Sequence, residues 1–323
     1  MMTTPTAPRL TLRISVTERC QMHCLYCRPR PTFESGAPSD VVQAKDMVRF
    51  VEVARQTMGV AKVRLTGGEP LIRRDLVALV ATLGQLALPD LALTTNGQRL
   101  AALARPLRAA GLHRINVSLD SLDRHTFARL TQEAELAPTL DGIEAACAAG
   151  LGPVRINTVV MRGINDHEVE ALVAFALARG CEPRFIELMP SGLATADYQR
   201  WFMPSAELRE RLARAFDLTP EAPVPGASSR RWRVNGAASA GTVGFISPRS
   251  QPFCAGCRRL RLTADGRLLG CLGRSDYIRI MGLLRATDAG GDERIAAALH
   301  VALGRKRGAG AFAVAMPMSS VGG

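Results

Sequence analysis

Three cysteines near the N-terminus have the spacing of ligands to a metal cluster. Cys20, Cys24 and Cys27 are separated by three and then two residues, and they follow the apolar run Leu12 to Val16. A tetrahedral zinc site or an ordinary four-iron cluster takes four protein ligands. Three close thiolates therefore leave one iron of a cubane open to a substrate. His23 is the alternative fourth ligand, but its place between two ligating positions in a tight loop disfavours it.

A second group of three cysteines lies near the C-terminus. Cys254 and Cys257 form a Cys-x-x-Cys pair, and Cys271 follows after thirteen intervening residues. Zinc is the alternative for such a pair. However, the segment 247–271 contains no histidine, and Asp265 belongs to a turn-like Ala-Asp-Gly sequence. We therefore predict a second cubane with an open iron.

Strand-like and helix-like segments alternate along the first two thirds of the chain, which is the pattern of βα units. Short β-branched runs occur at 12–16, 63–65, 91–94, 115–119, 154–160 and 184–188, and segments with helical spacing at 40–58, 75–86, 99–110, 139–149, 166–179 and 205–215. Six units fit either an open doubly wound sheet or an incomplete barrel. Both architectures place chemistry at the C-terminal ends of the strands.

Composition sets the remaining limits. The 323 residues are 47% hydrophobic, enough for one large core, and the net charge of +12 favours an anionic partner. Because neither a signal peptide nor a long apolar span is visible, we expect a cytoplasmic protein without a membrane contact.

Clustered cysteines in such a protein predict metal ligands, whereas Cys147 and Cys181 are expected to be buried filler residues. A Pro- and Gly-rich stretch at 219–241 predicts a linker, so we divide the chain into domains 1–218 and 219–323.

Two further patterns indicate ligand contacts at strand ends. The sequence Thr66-Gly67-Gly68-Glu69-Pro70 follows the second strand. Glycines let the backbone approach a ligand, and exposed carbonyls with the Glu69 carboxylate suit an ammonium group. Arg13 and Arg64 lie inside apolar strands, where a lone buried charge would cost several kcal/mol. Each of these arginines must therefore be paired or face a ligand.

The cysteine spacing and the glycine motif resemble the radical S-adenosylmethionine superfamily. Further segments narrow the resemblance to the GTP 3′,8-cyclase family, the molybdenum cofactor biosynthesis protein A family. They occur in order as Leu12-Arg-Ile-Ser-Val-Thr-Glu-Arg-Cys20, Arg64 to Pro70, Ile115-Asn-Val-Ser-Leu-Asp120 and Gly244-Phe-Ile-Ser-Pro248. The chain also ends with the family's Gly322-Gly323, which we expect to matter for cyclisation.

The resemblance implies an incomplete (β/α)6 barrel, an α/β fold, with a smaller C-terminal iron–sulfur domain over its open side. It implies a homodimer with two [4Fe-4S] clusters that binds S-adenosylmethionine at the first and GTP at the second. The implied S-adenosylmethionine contacts are Tyr26, Gly68, Ser118 and Met189, with Glu69 beside them. The implied GTP contacts are Arg13, Arg64, Thr94, Arg155, Arg184, Arg259 and Arg261. The implied reaction cyclises GTP to (8S)-3′,8-cyclo-7,8-dihydroguanosine 5′-triphosphate, with an electron donor that the sequence does not identify.

Two positions depart from the family pattern, and two rival functions are weighed against it. Arg155 stands where lysine is expected, and Arg258 where asparagine is usual; both still suit an anionic ligand. One rival is a radical enzyme that modifies a peptide or tetrapyrrole, which would usually carry more C-terminal cysteines. The other is an RNA-binding protein with zinc knuckles. It is disfavoured because aromatic residues make up only 5% of the chain, so we expect no nucleic-acid partner.

Overall fold

A single twisted sheet organises the protein. The computed structural model describes residues 10–27, 41–190, 197–236, 240–274 and 276–306. Within these ranges twelve strands form one sheet in the order β12-β11-β10-β1-β2-β3-β4-β5-β6-β9-β8-β7. The two outermost strands, β12 and β7, do not pair with each other, so the barrel is open. The predicted incomplete barrel is thereby confirmed, and it replaces the alternative that the sequence pattern left open.

Six parallel strands, each followed by at least one helix, build the barrel. The strands are β1 (Thr11–Ser15), β2 (Lys62–Thr66), β3 (Asp90–Thr95), β4 (Arg114–Ser118), β5 (Arg155–Val160) and β6 (Glu182–Glu187). The helices are α1 (Ala44–Met58), α2 (Leu76–Gln85), α3 (Leu100–Ala109), α4 (Arg124–Thr131), α5 (Ala137–Ala148), α6 (Val169–Ala178), α7 (Tyr198–Trp201) and α8 (Ser205–Leu212). The sequence analysis did not predict helix α4, because polar residues outnumber the apolar residues of its short buried face.

The C-terminal part of the chain extends the same sheet at both ends. It contains β7 (Asp217–Pro220), β8 (Arg230–Asn235), β9 (Gly241–Ile246), β10 (Arg259–Leu262), β11 (Arg267–Leu269), β12 (Ile278–Arg279), α9 (Met281–Arg285) and α10 (Gly291–Gly304). Strand β9 pairs in parallel with β6, and β10 pairs in parallel with β1. The expected linker is therefore not structureless, since it includes β8. A domain division after residue 218 falls inside β7 and stays a prediction.

Alternation along the strands separates the core from the interior of the barrel. In β1, Leu12 and Ile14 are fully buried in the main apolar cluster, which also contains residues of the surrounding helices. Successive side chains of a strand point to opposite faces. Arg13 and Ser15 therefore face the interior, and the same alternation holds for Arg64 in β2. The strand pattern thus predicts which side chains can reach a ligand inside the barrel.

None of the helices in the described ranges is long and apolar enough to cross a membrane.

Candidate functional site

The loop that carries the first cysteines is held against the glycine motif by backbone contacts. Gly68 N donates to Thr17 O at 2.7 Å, and Glu69 N donates to Arg19 O at 2.8 Å. A Cβ atom at Gly68 would lie 2.2 Å from Arg19 O. Gly67 has a φ of 146°, a conformation that favours glycine. Both glycines are therefore needed for the close contact between this motif and the cysteine loop. The sequence analysis had explained them only by the approach of a ligand.

Glu69 is buried at the end of the glycine motif. The side chain is 1% exposed. One carboxylate oxygen accepts from Leu71 N (2.9 Å) and Thr95 Oγ1 (2.6 Å), and the other accepts from Asn96 N (2.7 Å). Burial raises the pKa of Glu69 to about 7 despite these donors. The carboxylate therefore joins the loops after β2 and β3, and its expected contact with an ammonium group stays a prediction.

Beside the cysteines, Tyr26 is positioned by a residue without an assigned role in the sequence. Its hydroxyl donates to Asp120 Oδ2 at 2.6 Å, and Val159 N donates to Asp120 Oδ1 at 2.8 Å. Burial raises the pKa of Asp120 to about 6. Burial also raises the pKa of the Cys24 thiol, and the neighbouring Cys27, Asp120 and Cys20 raise it further. The three thiols thus lie close enough to interact electrostatically.

The other expected S-adenosylmethionine contacts lie at the same edge of the sheet. Ser118 is the last residue of β4, and Met189 follows β6 by two residues; both are partly exposed. The carboxylate of Glu187, at the end of β6, accepts from Ser205 N (2.9 Å) and Arg249 N (2.9 Å). This carboxylate ties the loop after β9 to the C-terminal edge of the barrel. The C-terminal part of the chain therefore contributes to the wall around the first site.

A basic cavity of about 540 Å³ lies at the opposite, N-terminal ends of the strands. Of the expected GTP contacts, five line it: Arg13, Arg64, Arg155, Arg184 and Arg259. Arg114 and Arg231 also line it but were not expected. The cavity thus gathers guanidinium groups from five barrel strands and two C-terminal strands. Guanidinium groups are the donor type that binds phosphate oxygens in a bidentate way.

The remaining two expected GTP contacts are linked to this cavity through the sheet. Arg261 pairs in register with Arg13, which in turn pairs with Arg64, so three arginines cross β10, β1 and β2 in one row. Thr94 lies further along β3, where its hydroxyl accepts from Asn116 Nδ2 at 3.0 Å. The predicted set therefore forms a strip across β10, β1, β2, β3, β5 and β6, without a member on β4.

The pKa values of the arginines indicate that this strip has an excess of positive charge. Burial and the neighbouring arginines lower the pKa of Arg13 and of Arg64 well below the ordinary range. Burial and Arg259 lower the pKa of Arg261 to about 10. Within the described residues, Arg64 Nε and Arg155 Nη1 are buried without a hydrogen-bond partner. Such donors fit an anionic ligand with many oxygen acceptors.

Two carboxylates partly offset the arginines, and the sequence analysis did not identify them. Asp90 accepts from Arg114 Nε at 2.6 Å. Glu182 accepts from Arg184 Nε at 2.7 Å and from Arg155 Nε at 3.3 Å. Both acids are the first residues of strands. Asp90 is in register with Lys62, and Glu182 is in register with Arg155. An acid at the start of a strand, opposite a basic residue of a neighbouring strand, is the signal that would have found them.

The second cysteine group lies beyond the N-terminal end of β10. Cys257 N donates to Cys254 O at 3.1 Å, and Cys271 follows β11. The neighbouring cations Arg259 and Lys306 contribute to a lowered pKa of Cys257, although its burial acts in the opposite direction. Since β10 runs parallel to β1, the two cysteine groups lie beyond opposite ends of β1, roughly 16 Å of strand apart.

Within the described ranges, no three His, Cys, Asp or Glu side chains are placed to hold a single metal ion. Each group supplies three thiols. Three thiolates fit a [4Fe-4S] cluster that leaves one iron without a protein ligand.

The two remaining cysteines differ from each other in environment. Cys181 is 3% exposed, as predicted, whereas Cys147 is only partly buried. Their sulfur atoms lie 3.5 Å apart, and this contact lowers the pKa of Cys147 to about 7. Cys147 is therefore not the buried filler that was expected. Gly322-Gly323 lies outside the described residues.

Comparisons with known proteins identify the family. Residues 14–176 match the Radical SAM superfamily, and residues 181–312 match Molybdenum Cofactor Synthesis C. A GTP 3′,8-cyclase of Paenarthrobacter nicotinovorans is 44% identical over 287 residues, which cover 85% of this chain and 81% of that protein. A GTP 3′,8-cyclase of Ectopseudomonas mendocina is 43% identical over 302 residues, covering 93% and 90%.

A solved structure supports the fold. Streptococcus suis SuiB, crystallised with S-adenosylmethionine, superposes with a TM-score of 0.60 at 17% identity, and the match covers 90% of this chain and 65% of that one. At this identity the likeness shows the fold alone. Together, the open barrel, the two cysteine groups and the similarity to these relatives establish that the chain belongs to the GTP 3′,8-cyclase family of the radical S-adenosylmethionine superfamily.

Proposed function

We propose that this protein is a GTP 3′,8-cyclase that converts GTP to (8S)-3′,8-cyclo-7,8-dihydroguanosine 5′-triphosphate, the first step of molybdenum cofactor biosynthesis. The observation that carries the proposal is the strip of largely buried arginines in the barrel interior, located between two groups of three cysteines. A nucleoside triphosphate supplies both the negative charge that this strip lacks and a length that spans the interior. The family relatives are named for the same activity.

Cys20, Cys24 and Cys27 would hold the first [4Fe-4S] cluster, with its open iron facing S-adenosylmethionine. When bound, this cluster supplies the electron that cleaves the sulfonium and starts radical chemistry on the ribose. Gly68, Ser118 and Met189 lie at the strand ends around this position. Tyr26 is fixed by its hydrogen bond to Asp120. Glu69 braces the glycine motif beneath the cysteine loop and would stand beside the ammonium group of S-adenosylmethionine.

Cys254, Cys257 and Cys271 would hold the second [4Fe-4S] cluster, whose open iron would accept GTP. Arg13, Arg64, Arg155, Arg184, Arg259 and Arg261 would orient the triphosphate, with Thr94 further along the interior. Arg155 is partly neutralised by Glu182 but retains a buried donor without a partner among the described residues. Arginine at this position is therefore compatible with an anionic ligand.

The charged side chains orient the nucleotide, and the loop after β9 helps to shield the reaction. A bound nucleotide held by several charge-assisted hydrogen bonds keeps one orientation, so that the reacting ribose is presented to the first site. The loop after β9, anchored on Glu187, helps to close the C-terminal edge of the barrel. We further propose that the protein acts as a cytoplasmic homodimer and receives electrons from a separate donor. The division into domains 1–218 and 219–323 belongs to the same proposal.

The proposal is tested by an anaerobic assay with GTP, S-adenosylmethionine and dithionite. We expect the cyclic dihydro-GTP product, 5′-deoxyadenosine and about eight irons per chain. Cys24→Ala should abolish formation of 5′-deoxyadenosine. Cys257→Ala should keep about four irons and lose the cyclic product. 5′-Deoxyadenosine formation that depends on a peptide instead of GTP would support the rival radical enzyme, and zinc in place of iron would reject both.

The assigned arginines are tested by equilibrium binding under anaerobic conditions. Arg259→Ala or Arg261→Ala should weaken GTP binding by roughly 1.5–3 kcal/mol, the worth of one set of charge-assisted hydrogen bonds. Binding of S-adenosylmethionine should hardly change, because its site is at the opposite strand ends. Arg162→Ala, which removes a surface pair with Glu207, is the matched control. Equal loss of both ligands would indicate a folding defect rather than a GTP contact.

A further inference from the structure

Lys306 makes contacts that the sequence analysis did not anticipate. It lies two residues beyond α10, and its backbone N still donates to Leu303 O at 3.3 Å, so it belongs to the last turn of that helix. Its ammonium group donates to Cys257 Sγ at 3.5 Å, to Arg259 O at 2.6 Å and to Gly270 O at 2.5 Å. A lysine has three N–H donors, so all of them are used within the chain.

The three acceptors come from the two segments that carry the second cysteine group. Cys257 and Arg259 belong to the segment entering β10, whereas Gly270 directly precedes Cys271 after β11. The ammonium group therefore connects two segments that are adjacent to different ligands of the same expected cluster. A lysine on the solvent-exposed surface would not be expected to donate to acceptors of both segments.

An independent contact fixes the helix that carries this lysine. A Cβ atom at Gly270 would lie 2.2 Å from Ala302 O, so the last turns of α10 pack directly on the backbone before Cys271. On its buried side α10 contributes Ile295 and Leu299 to the main core. The position of Lys306 is thus set by tight packing of the helix rather than by the lysine side chain alone.

The choice of lysine at this point is informative. The chain has 41 basic residues, and only Lys45, Lys62 and Lys306 are lysines. An ammonium group is a compact charge that directs three donors to a tripod of acceptors, whereas a guanidinium group is a planar fork. The arrangement of one sulfur and two carbonyl oxygens around Lys306 requires the first geometry.

We propose that Lys306 is a positioning residue of the second three-cysteine site, which holds the segments of Cys257 and Cys271 together and donates a hydrogen bond to the Cys257 sulfur. The inference rests on the proposed function, because it takes that site to hold a [4Fe-4S] cluster. Hydrogen bonds and positive charge at a ligating sulfur favour the reduced form of a cluster. Lys306 therefore secures the second cluster and raises its reduction potential.

The test compares Lys306→Met, Lys306→Arg and the control Lys45→Met in the complete reconstituted protein. Lys45 is exposed on α1, so its loss should change neither cluster. Cys257→Ala defines the signal of the second cluster by subtraction. The readouts are the rate of iron removal by a ferrous chelator and the midpoint potential from an anaerobic optical titration.

In Lys306→Met we expect second-site iron to be lost about 10- to 100-fold faster, the scale of effect when an outer hydrogen-bond partner of a metal ligand is removed. We also expect a more negative midpoint potential, with first-site iron unchanged. Lys306→Arg keeps the charge but not the tripod, so its iron loss should be intermediate. If Lys306→Met does not fold, Lys306→Arg decides, and parental iron loss and potential in that variant would overturn the inference.

Different results would contradict the proposed function and the role of Lys306. If the parent and Cys257→Ala carry the same iron, the second cluster itself is absent and the proposed function fails at that site. If the parent carries both clusters while Lys306→Met retains second-site iron at the parental rate and potential, only the role of Lys306 is refuted.

Discussion

Replacing Arg261 with methionine should stabilise the protein without nucleotide while impairing GTP binding. Arg261 is 7% exposed and lies beside Arg13 in the row of arginines across β10, β1 and β2. Burial and the nearby Arg259 lower its pKa to about 10. Methionine keeps much of the apolar stem and removes the charge.

The size of the effect follows from this pKa. The difference from the ordinary arginine value corresponds to about 3 kcal/mol of unfavourable free energy for the charged group in the folded chain. Because the folded chain binds this proton more weakly than the unfolded chain, the cost is fully present below about pH 10. It is relieved only as pH rises beyond that value. Since methionine also removes the favourable contacts of the guanidinium group, we expect a net gain of about 1–3 kcal/mol at pH 7.

The assay is urea unfolding of the metal-free protein at pH 7 under reducing conditions. Arg162→Met is the matched control, because its exposed pair with Glu207 should be worth less than about 1 kcal/mol. GTP at about 100 times its Kd should stabilise the parent by about 2.7 kcal/mol and the Arg261→Met variant by less. An unfolding free energy that falls further in Arg261→Met than in Arg162→Met would refute the reasoning, since Arg261 would then be fully compensated within the chain.

Two further changes test the first site. Gly68→Ala should lower the unfolding free energy by about 1–3 kcal/mol and loosen the cysteine loop, because its Cβ would meet Arg19 O, whereas Gly282→Ala, with no atom within 4 Å of its Cβ, should not. Equal iron retention and stability in both variants would argue against this constraint. Asp120→Asn should gain stability relative to the parent as pH rises from about 4 to above 6, because the parent must ionise a buried carboxyl over that range. Urea unfolding at pH 4.5, 6 and 7.5 measures the difference, and a constant difference would show that Asp120 does not titrate there.

The sequence alone determined the features that depend on local pattern. The cysteine spacings, the alternation of strands and helices, and the arginines inside apolar strands all follow from residue type and periodicity. Together with the resemblance to a family they predicted the open barrel, which the structure confirmed. The positions of Arg13 and Arg64 on the inner face follow from the two-residue repeat of a strand, so no tertiary information was needed to place them on that face.

Tertiary structure alone decided the partners of the buried polar groups. Glu69 bonds to the loop after the next strand, Tyr26 to Asp120, and Lys306 to Gly270 and Cys257, in each case across many intervening residues. Local periodicity carries no information on such contacts, because it specifies which face a side chain occupies and not which distant segment packs there. The pairing of β9 and β10 with opposite edges of the barrel is of the same kind. It arises because unpaired backbone groups at both sheet edges can be satisfied by any later strand, and packing of the whole chain selects which one.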